Sequence, residues 1–257
     1  MRGAALLAGV DDGLVVDVGG TTADFGALVA GYPRQANAAV EVGGVRTLFQ
    51  LPDLLSIGLG GGSVIRVDEA GQPTLGPDSV GQRLLTEALA FGGTTPTLTD
   101  AALAVGRVSI DGARATAEAL PADGEAILTE AATMIGDGAD RLKLTAADVP
   151  LVAVGGGAFA VPDRLPGISE VIRPPNGGTA NAVGAALAQV SGEVDQVFDQ
   201  GRDAALAAAV ELATARAVDS GAVEDAVEVI EIEDLPLAYL AGDTRRVRVR
   251  VVGPLSD

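Results

Sequence analysis

A short apolar run near the start of the chain ends in residue types that can hold an anion and a metal ion. The stretch reads "GLVVDVGGTTADFGALVAG", residues 13–31. Glycine lets an anion approach the backbone without a Cβ in the way, and successive N–H groups in such a turn form a concave nest for phosphate oxygens. A plain hairpin needs only a two-residue turn, so this richer turn predicts a phosphate site. Its members are Gly19, Gly20, Thr21 and Thr22.

Two carboxylates flank this turn. Asp17 ends the apolar run and can hold a magnesium ion through water, and we take it as the catalytic candidate. Asp24 either binds the metal together with Asp17 or caps the turn. The alternative for the whole segment is a tight hairpin whose polar side chains satisfy their own backbone. The complete pattern D-x-G-G-T-T-x-D favours the phosphate site.

Three further segments are rich in glycine. "VGGGAFAVPD" follows an apolar run, and its Gly155, Gly156 and Gly157 suit close approach of an adenine and ribose, although a glycine turn after a strand is also common. "SIGLGGGSVIRVD" (56–68) lacks the helix that a dinucleotide fingerprint requires, which leaves a second phosphate contact or a structural bend. "NGGTANAVGAALAQV" (176–190) predicts a helix, and the small residues of its first part indicate tight packing or an interdomain contact that moves with nucleotide binding.

Composition excludes several kinds of site. The 257 residues carry 17 Lys and Arg against 35 Asp and Glu, a net charge of −18, and no Cys or His. Nucleic acid and anionic membranes require the opposite charge, so we expect neither as a partner. Disulfides, Cys/His zinc sites and Ser-His-Asp triads are excluded, and any metal must be bound by oxygen ligands, which favours magnesium. Without a membrane-span pattern or signal-peptide layout, we expect a cytoplasmic protein.

The elements that must position these residues follow from hydrophobic periodicity. Residues 13–51 predict consecutive antiparallel strands with residues 19–22 at a hairpin tip, and from about residue 80 helices and strands alternate. Either Thr99 or Asp100 is expected to cap a helix. An Ala-rich helix at 200–218 is expected to present Leu206, Val210, Ala213 and Ala217 on one face. It precedes a Glu-rich and an Arg-rich strand that antiparallel pairing sets side by side.

The ordered motifs resemble the second domain of the actin/Hsp70/sugar-kinase ATPase superfamily, and within it the hydantoinase/oxoprolinase family. The five that carry the resemblance are "DVGGTTAD" (17–24), "SIGLGGGS" (56–63), "GPDSVG" (76–81), "GGTTPTLTDA" (92–101) and "VGGG" (154–157). The resemblance implies an α/β, ribonuclease H-like fold with a mixed sheet and flanking helices over residues 1–192. Residues 193–257 then form a small C-terminal α+β extension.

The resemblance also implies a function. Members of the family open cyclic amides with ATP and magnesium, and relatives carboxylate ketones. Residues 19–22 correspond to the second phosphate loop and residues 155–157 to the adenosine motif. Since the superfamily site lies between two related domains, we expect this chain to need an N-terminal half or partner subunit with the other phosphate loop. The alternatives are a small-molecule or acyl kinase of the same superfamily and a nucleotide-switched actin-like assembly module.

Overall fold

The computed structural model describes residues 1–35, 41–42, 45–46, 52–114, 117–187, 189–237 and 242–256. It divides into two compact units, Met1–Ala185 and Ala186–Asp257. This division falls shortly before the boundary expected after residue 192, because the strand that begins at Val190 pairs with a strand near the C-terminus. Within the described ranges, no helix has the length and apolar character to cross a membrane.

The first unit begins with a helix and a β-hairpin, and helices and strands alternate towards its end. In chain order its elements are α1 (Arg2–Ala8), β1 (Gly13–Val18), β2 (Ala23–Val29), β3 (Tyr32–Pro33), β4 (Glu41–Val42), β5 (Val45–Arg46), β6 (Leu54–Ile57), β7 (Ser63–Val67), β8 (Pro73–Ser79), α2 (Leu84–Glu87), α3 (Leu98–Ala104), α4 (Gly124–Leu142), β9 (Val149–Val154), β10 (Ile168–Ile172) and α5 (Ala180–Ala186). Short 3-10 turns lie at Gly81–Arg83, Leu89–Phe91, Ala117–Ala119, Ala158–Ala160 and Gly177–Thr179.

A mixed sheet lies at the centre of this unit. The strand order is β10-β9-β1-β2-β3, and β6 also pairs with β2. Strand β1 runs antiparallel to β2 and parallel to β9, so that Asp17 lies opposite Asp24 on one side and Val154 on the other. The predicted α/β fold with a mixed sheet is therefore confirmed.

Both faces of the sheet are covered, which explains why β1 reads as an unbroken apolar run. Side chains alternate between the two faces of a strand. Val16 and Phe25 join the large core that includes Ile135 of α4. Val15 belongs to a second cluster, together with Ala180 of α5 and residues of α1. Asp17 follows Val15 on the α1/α5 face.

The hairpin prediction is confirmed: β1 and β2 are antiparallel and residues 19–22 connect them. Strands β3 and β6 then pair with β2, also antiparallel. The strands predicted at 38–42 and 45–51 lie largely outside the described residues. The described parts of them, β4 and β5, form a separate antiparallel pair.

Three helix predictions need correction. The helical pattern expected from about residue 80 gives only the four-residue helix α2 between two 3-10 turns, because Ala88 takes an extended conformation and pairs with Thr95. Helix α3 is capped by Thr97, not by Thr99 or Asp100, and Asp100 completes a capping box by accepting a hydrogen bond from the Thr97 N–H. The helix expected over 176–190 is limited to α5, because Asn176 is left-handed and strand pairing starts at Val190.

The second unit is a helix packed on a three-stranded antiparallel sheet. Its elements are β11 (Val190–Asp199), α6 (Arg202–Asp219), β12 (Glu228–Pro236) and β13 (Thr244–Gly253), with strand order β11-β13-β12. The predicted face of α6 is partly wrong. Leu206 and Val210 are only partly buried and pack against the edge of the core. The buried residues of α6 are all alanines: Ala205, Ala209, Ala213 and Ala217. Small side chains let the helix approach closely, since a Cβ at Gly192 of β11 would lie 2.0 Å from the Ala213 carbonyl oxygen.

The predicted pairing of the Glu-rich and Arg-rich strands is confirmed. Glu233 of β12 lies opposite Arg248 of β13. The sequence did not predict β11, which adds acidic residues on the other side of β13. The Arg246 guanidinium there donates two hydrogen bonds to the Asp195 carboxylate, at 2.7 and 2.5 Å. These bonds lower the pKa of Asp195 below its ordinary value.

Candidate functional site

The turn between β1 and β2 presents backbone to open space. The Gly19 N–H donates to the Thr22 carbonyl at 2.8 Å, which closes the turn. Gly20 and Thr21 at the tip are exposed, and a Cβ built on Gly20 would meet no atom within 4 Å. An anion can therefore reach the backbone of the tip, as the phosphate prediction requires.

The glycine segment at residues 58–63 supports this hairpin from behind. The Gly61 N–H donates to the Gly19 carbonyl at 2.9 Å, and the Gly62 N–H donates to the Gly20 carbonyl at 2.8 Å. A Cβ on Gly60 would lie 2.5 Å from Gly20 C and from Thr21 N. The segment packs backbone against backbone, which only glycine allows. Of the two interpretations left open by the sequence, the structure therefore shows a supporting bend.

The support continues into α3. Both the N–H and the hydroxyl of Thr99 donate to the Gly61 carbonyl, at 2.9 and 2.8 Å. Asp100 beside it is fully buried and accepts hydrogen bonds from the Ala90 N–H and from Thr97. Three of the motifs quoted above thus form one scaffold: "PTLTDA" holds the glycine segment, and the glycine segment holds the hairpin.

The loop at residues 155–157 lies at the same edge of the sheet as the hairpin. Because β1 and β9 are parallel, their carboxyl ends meet at that edge. The Gly157 N–H donates to the Val18 carbonyl at 2.7 Å, and a Cβ on Gly157 would lie 2.8 Å from the Gly19 carbonyl oxygen. The two loops are in direct contact at their bases. Gly156 is exposed and has open space around its α-carbon.

A groove of about 400 Å³ opens between α4 and the segment that follows this loop. Arg107 lines it and holds the segment in place, since its guanidinium donates to the Phe159 carbonyl at 3.0 Å and to the Val161 carbonyl at 2.8 Å. Leu128 and Pro162 supply apolar surface in the same groove. Its size and mixed lining are in the range of small-molecule sites.

Asp17 and Asp24 lie directly opposite each other on adjacent strands. Their side chains share the α1/α5 face of the sheet, at the base of the hairpin. Like charges placed directly opposite are destabilising. Hydrogen bonds stabilise each carboxylate: Asp24 accepts from the Ser56 hydroxyl at 2.5 Å and from the Thr22 hydroxyl at 3.1 Å. Asp17 accepts from the Asn181 side-chain amide at 2.9 Å.

The donor set at this edge fits magnesium. Magnesium is commonly bound by one or two carboxylates together with substrate phosphates and water. Asp17 is half-buried and Asp24 exposed, so each can offer an oxygen to solvent. In the described parts of the chain, no group of three or more His, Cys, Asp or Glu residues has the arrangement of a complete protein-only metal site.

All the site residues predicted from the sequence therefore gather at one edge of the sheet. Residues that sequence reasoning missed include Ser56, Thr99 and Asn181, which contact Asp24, the glycine segment and Asp17 respectively. A signal was present for two of them. Ser56 and Asn181 are isolated polar residues in otherwise apolar or glycine-rich stretches, "LLSIGLG" and "ANAVGAA".

Two curated proteins are similar in sequence to part of this chain. The caprolactamase subunit alpha of Pseudomonas jessenii is 34% identical over 107 residues, which cover 41% of this chain and 15% of that protein. The acetophenone carboxylase gamma subunit of Aromatoleum aromaticum is 32% identical over 96 residues, which cover 37% of this chain and 13% of that protein. The matched segments thus span a small part of these curated relatives, both of which are named as subunits.

Solved structures match nearly the whole chain. The ATP-dependent caprolactamase from Pseudomonas jessenii superposes with a TM-score of 0.66 at 18% identity, and covers 99% of this chain and 49% of that one. A nucleotide-free acetone carboxylase superposes with a TM-score of 0.58 at 19% identity, and covers 99% and 48%. The chain spans about half the length of each. At these identities the likeness concerns the fold alone, and it agrees with the predicted α/β fold with a mixed sheet.

The family follows from the sequence itself. The model of the hydantoinase/oxoprolinase family matches residues 1–148. This range includes the hairpin, the glycine segment and α3, and it ends just before β9. Since the match covers more than half of the chain, the chain belongs to the hydantoinase/oxoprolinase family.

Proposed function

We propose that this chain is the nucleotide-binding half of an ATP-dependent enzyme that opens small cyclic amides. One observation carries the proposal. The parallel strands β1 and β9 end side by side, so an exposed glycine hairpin, an exposed glycine loop and a pair of carboxylates meet at one edge of the sheet. Ligands of open α/β sheets bind outside the carboxyl ends of the strands.

Each part of this edge has a role in the proposal. The backbone of residues 19–22 binds the phosphates of ATP, and the hydroxyls of Thr21 and Thr22 add donors. The loop at residues 155–157 lies against the adenosine, with the groove beside Arg107 available for the base. Asp17 is the catalytic carboxylate and, with Asp24 opposite, would hold a magnesium ion directly or through water.

The chemistry is activation of a poor electrophile. The γ-phosphoryl group passes from ATP to the oxygen of the cyclic amide, whose N–H loses its proton, while the bond to the β-phosphate oxygen breaks and ADP leaves. Water then adds to the carbon that bears this oxygen, the ring C–N bond breaks, and a second water releases the phosphate. A magnesium ion bound at the carboxylates would neutralise charge on the phosphates. In phosphoryl transfer the protein contributes mainly position and electrostatic stabilisation, and backbone N–H groups held by a rigid scaffold provide both.

We also propose that the site is completed by a further domain or partner subunit that carries a second phosphate loop. Two facts support this: the chain spans about half the length of the solved structures it resembles, and the curated relatives are named as subunits. The exposed hairpin tip leaves one side of a bound γ-phosphate open to water. Solvent screening weakens electrostatic contacts there, so the chain alone should bind MgATP weakly, with a Kd on the order of 1 mM, and hydrolyse little.

The test measures ADP release by the assembled enzyme with hydantoin, 5-oxoproline or a small lactam. Steady ADP release that depends on the cyclic amide supports the proposal. Phosphorylation of an alcohol or open-chain acid in its place would indicate a kinase, and nucleotide-dependent sedimentation without turnover would indicate an assembly module. For the chain alone, calorimetric titration with MgATP alongside a phosphate-release assay is the companion measurement. Micromolar binding with steady turnover by the chain alone would contradict the proposal that a further domain or subunit completes the site.

Three sequence predictions remain predictions. They are the absence of nucleic acid as a partner, the absence of a membrane partner and the cytoplasmic location. The net charge of −18 supports the first two.

A further inference from the structure

Asn181 is a residue of the site that the motifs do not explain. It lies on α5, far from β1 in the sequence, and its side-chain amide donates to the Asp17 Oδ2 atom at 2.9 Å. Helix α5 reads "ANAVGAA", so Asn181 is the one polar side chain of this helix. The amide thus reaches Asp17 from a helix, outside the sheet and its loops.

The other carboxylate oxygen of Asp17 is confined as well. Gly155 has a φ of +87°, and a Cβ built there would lie 2.3 Å from Asp17 Oδ1. One carboxylate oxygen of Asp17 therefore packs against the backbone of Gly155, and the other accepts a hydrogen bond from the Asn181 amide. Together these contacts fix the plane of the carboxylate.

The position of Asn181 depends in turn on α1. A Cβ on Gly3 would lie 2.0 Å from the Ala180 carbonyl oxygen and 2.6 Å from Gly184 N, so α1 and α5 cross in backbone contact. Asn181 is the residue next to this crossing. A displacement of α5 by roughly 1 Å would stretch the bond to Asp17 beyond hydrogen-bonding range.

We propose that Asn181 is a positioning residue that holds Asp17 in the orientation used for metal and phosphate. This inference rests on the proposed function. The amide suits the role because it orients the carboxylate without adding a charge that would repel a cation. Partners of metal-binding side chains commonly change metal affinity or activity about 10- to 100-fold when they are removed.

The experiment measures Mn²⁺ binding by electron paramagnetic resonance, in the presence of ATP, on the assembled enzyme. Three variants are compared with the parent: Asn181→Ala, the exchange Asn181→Ala with Ala182→Asn, and Asp17→Asn. The exchange keeps the composition of α5 but moves the amide to an adjacent exposed position that points away from Asp17. We expect Asn181→Ala and the exchange to raise the Kd of Mn²⁺ about 10-fold, and excess Mg²⁺ to restore turnover, with no change in melting temperature.

The outcomes separate the inference from the function on which it rests. Parent-like Mn²⁺ binding in Asn181→Ala, with weakened binding in Asp17→Asn, overturns the positioning role alone. An exchange variant that behaves like the parent overturns it too, as does a turnover loss that excess Mg²⁺ does not restore. Unchanged Mn²⁺ binding and turnover in Asp17→Asn overturn both the inference and the proposed role of Asp17.

Discussion

Replacement of Gly60 by alanine tests whether the glycine segment sets the position of the phosphate hairpin. The added Cβ would lie 2.5 Å from Gly20 C and from Thr21 N, and 2.8 Å from the Gly19 carbonyl oxygen. Carbon atoms in contact prefer about 3.5–4.0 Å, so the hairpin must retreat by roughly 1 Å.

The consequences for stability and activity follow from this displacement. Overpacking of a tight contact costs about 1–3 kcal/mol, which corresponds to a fall in melting temperature of roughly 2–4 °C per kcal/mol in a chain of this size. A misplacement of about 1 Å in a catalytic arrangement reduces the rate on the order of 100-fold. We therefore expect Gly60→Ala to lower kcat/KM for ATP far more than the modest loss of folded protein could explain.

The assays are scanning calorimetry of the chain and ADP release by the assembled enzyme. The matched control is Gly178→Ala, because a Cβ at Gly178 meets nothing within 4 Å. This variant should retain the parent's melting temperature and turnover. If Gly60→Ala matches the parent in both measurements while it is fully folded, the hairpin does not depend on the glycine segment and the reasoning fails.

Further predictions concern the hairpin tip, the carboxylates and the second unit. Gly20→Ala should fold like the parent, since its Cβ meets nothing within 4 Å, but should weaken MgATP binding; unchanged affinity in a titration would remove the tip from the phosphate site. Asp17→Asn should leave the melting temperature intact and cut turnover steeply, and Asp24→Asn should be milder; equal turnover of Asp17→Asn and parent would remove Asp17 from the mechanism. The pKa of Asp195 is lowered by its bond to Arg246, so its contribution to stability is present at neutral pH and is lost as the pH falls through the carboxylate range below about 4. Asp195→Asn should flatten this acid-induced loss in calorimetry, and an unchanged pH profile would contradict the ion pair's role.

Local patterns predicted the sheet edge well. The hairpin at residues 19–22 and the strand before Gly155 follow from apolar runs that end in glycine, a signal that depends on neighbours in sequence. The two loops meet at one edge because β1 and β9 pair in parallel.

Contacts distant in sequence were not predictable in the same way. The glycines at residues 58–63 indicated a segment that another part of the backbone approaches closely. They did not indicate that this other part is the backbone of Gly19 and Gly20. The amide of Asn181 reaches Asp17 only because α5 crosses α1 at Gly3, and no local pattern encodes that crossing. Strand β11 was missed because its residues alternate weakly, and its pairing with β13 is a tertiary effect.

The most direct test of the nucleotide site is a titration of the ¹⁵N-labelled chain with MgATP, followed by amide chemical shifts in NMR. This method detects binding even at a Kd on the order of 1 mM. The expected result is a set of shifts concentrated at residues 19–22 and 155–157, reduced in Gly20→Ala. Shifts confined to the second unit, or none at saturating MgATP, would contradict a nucleotide site at this edge of the sheet.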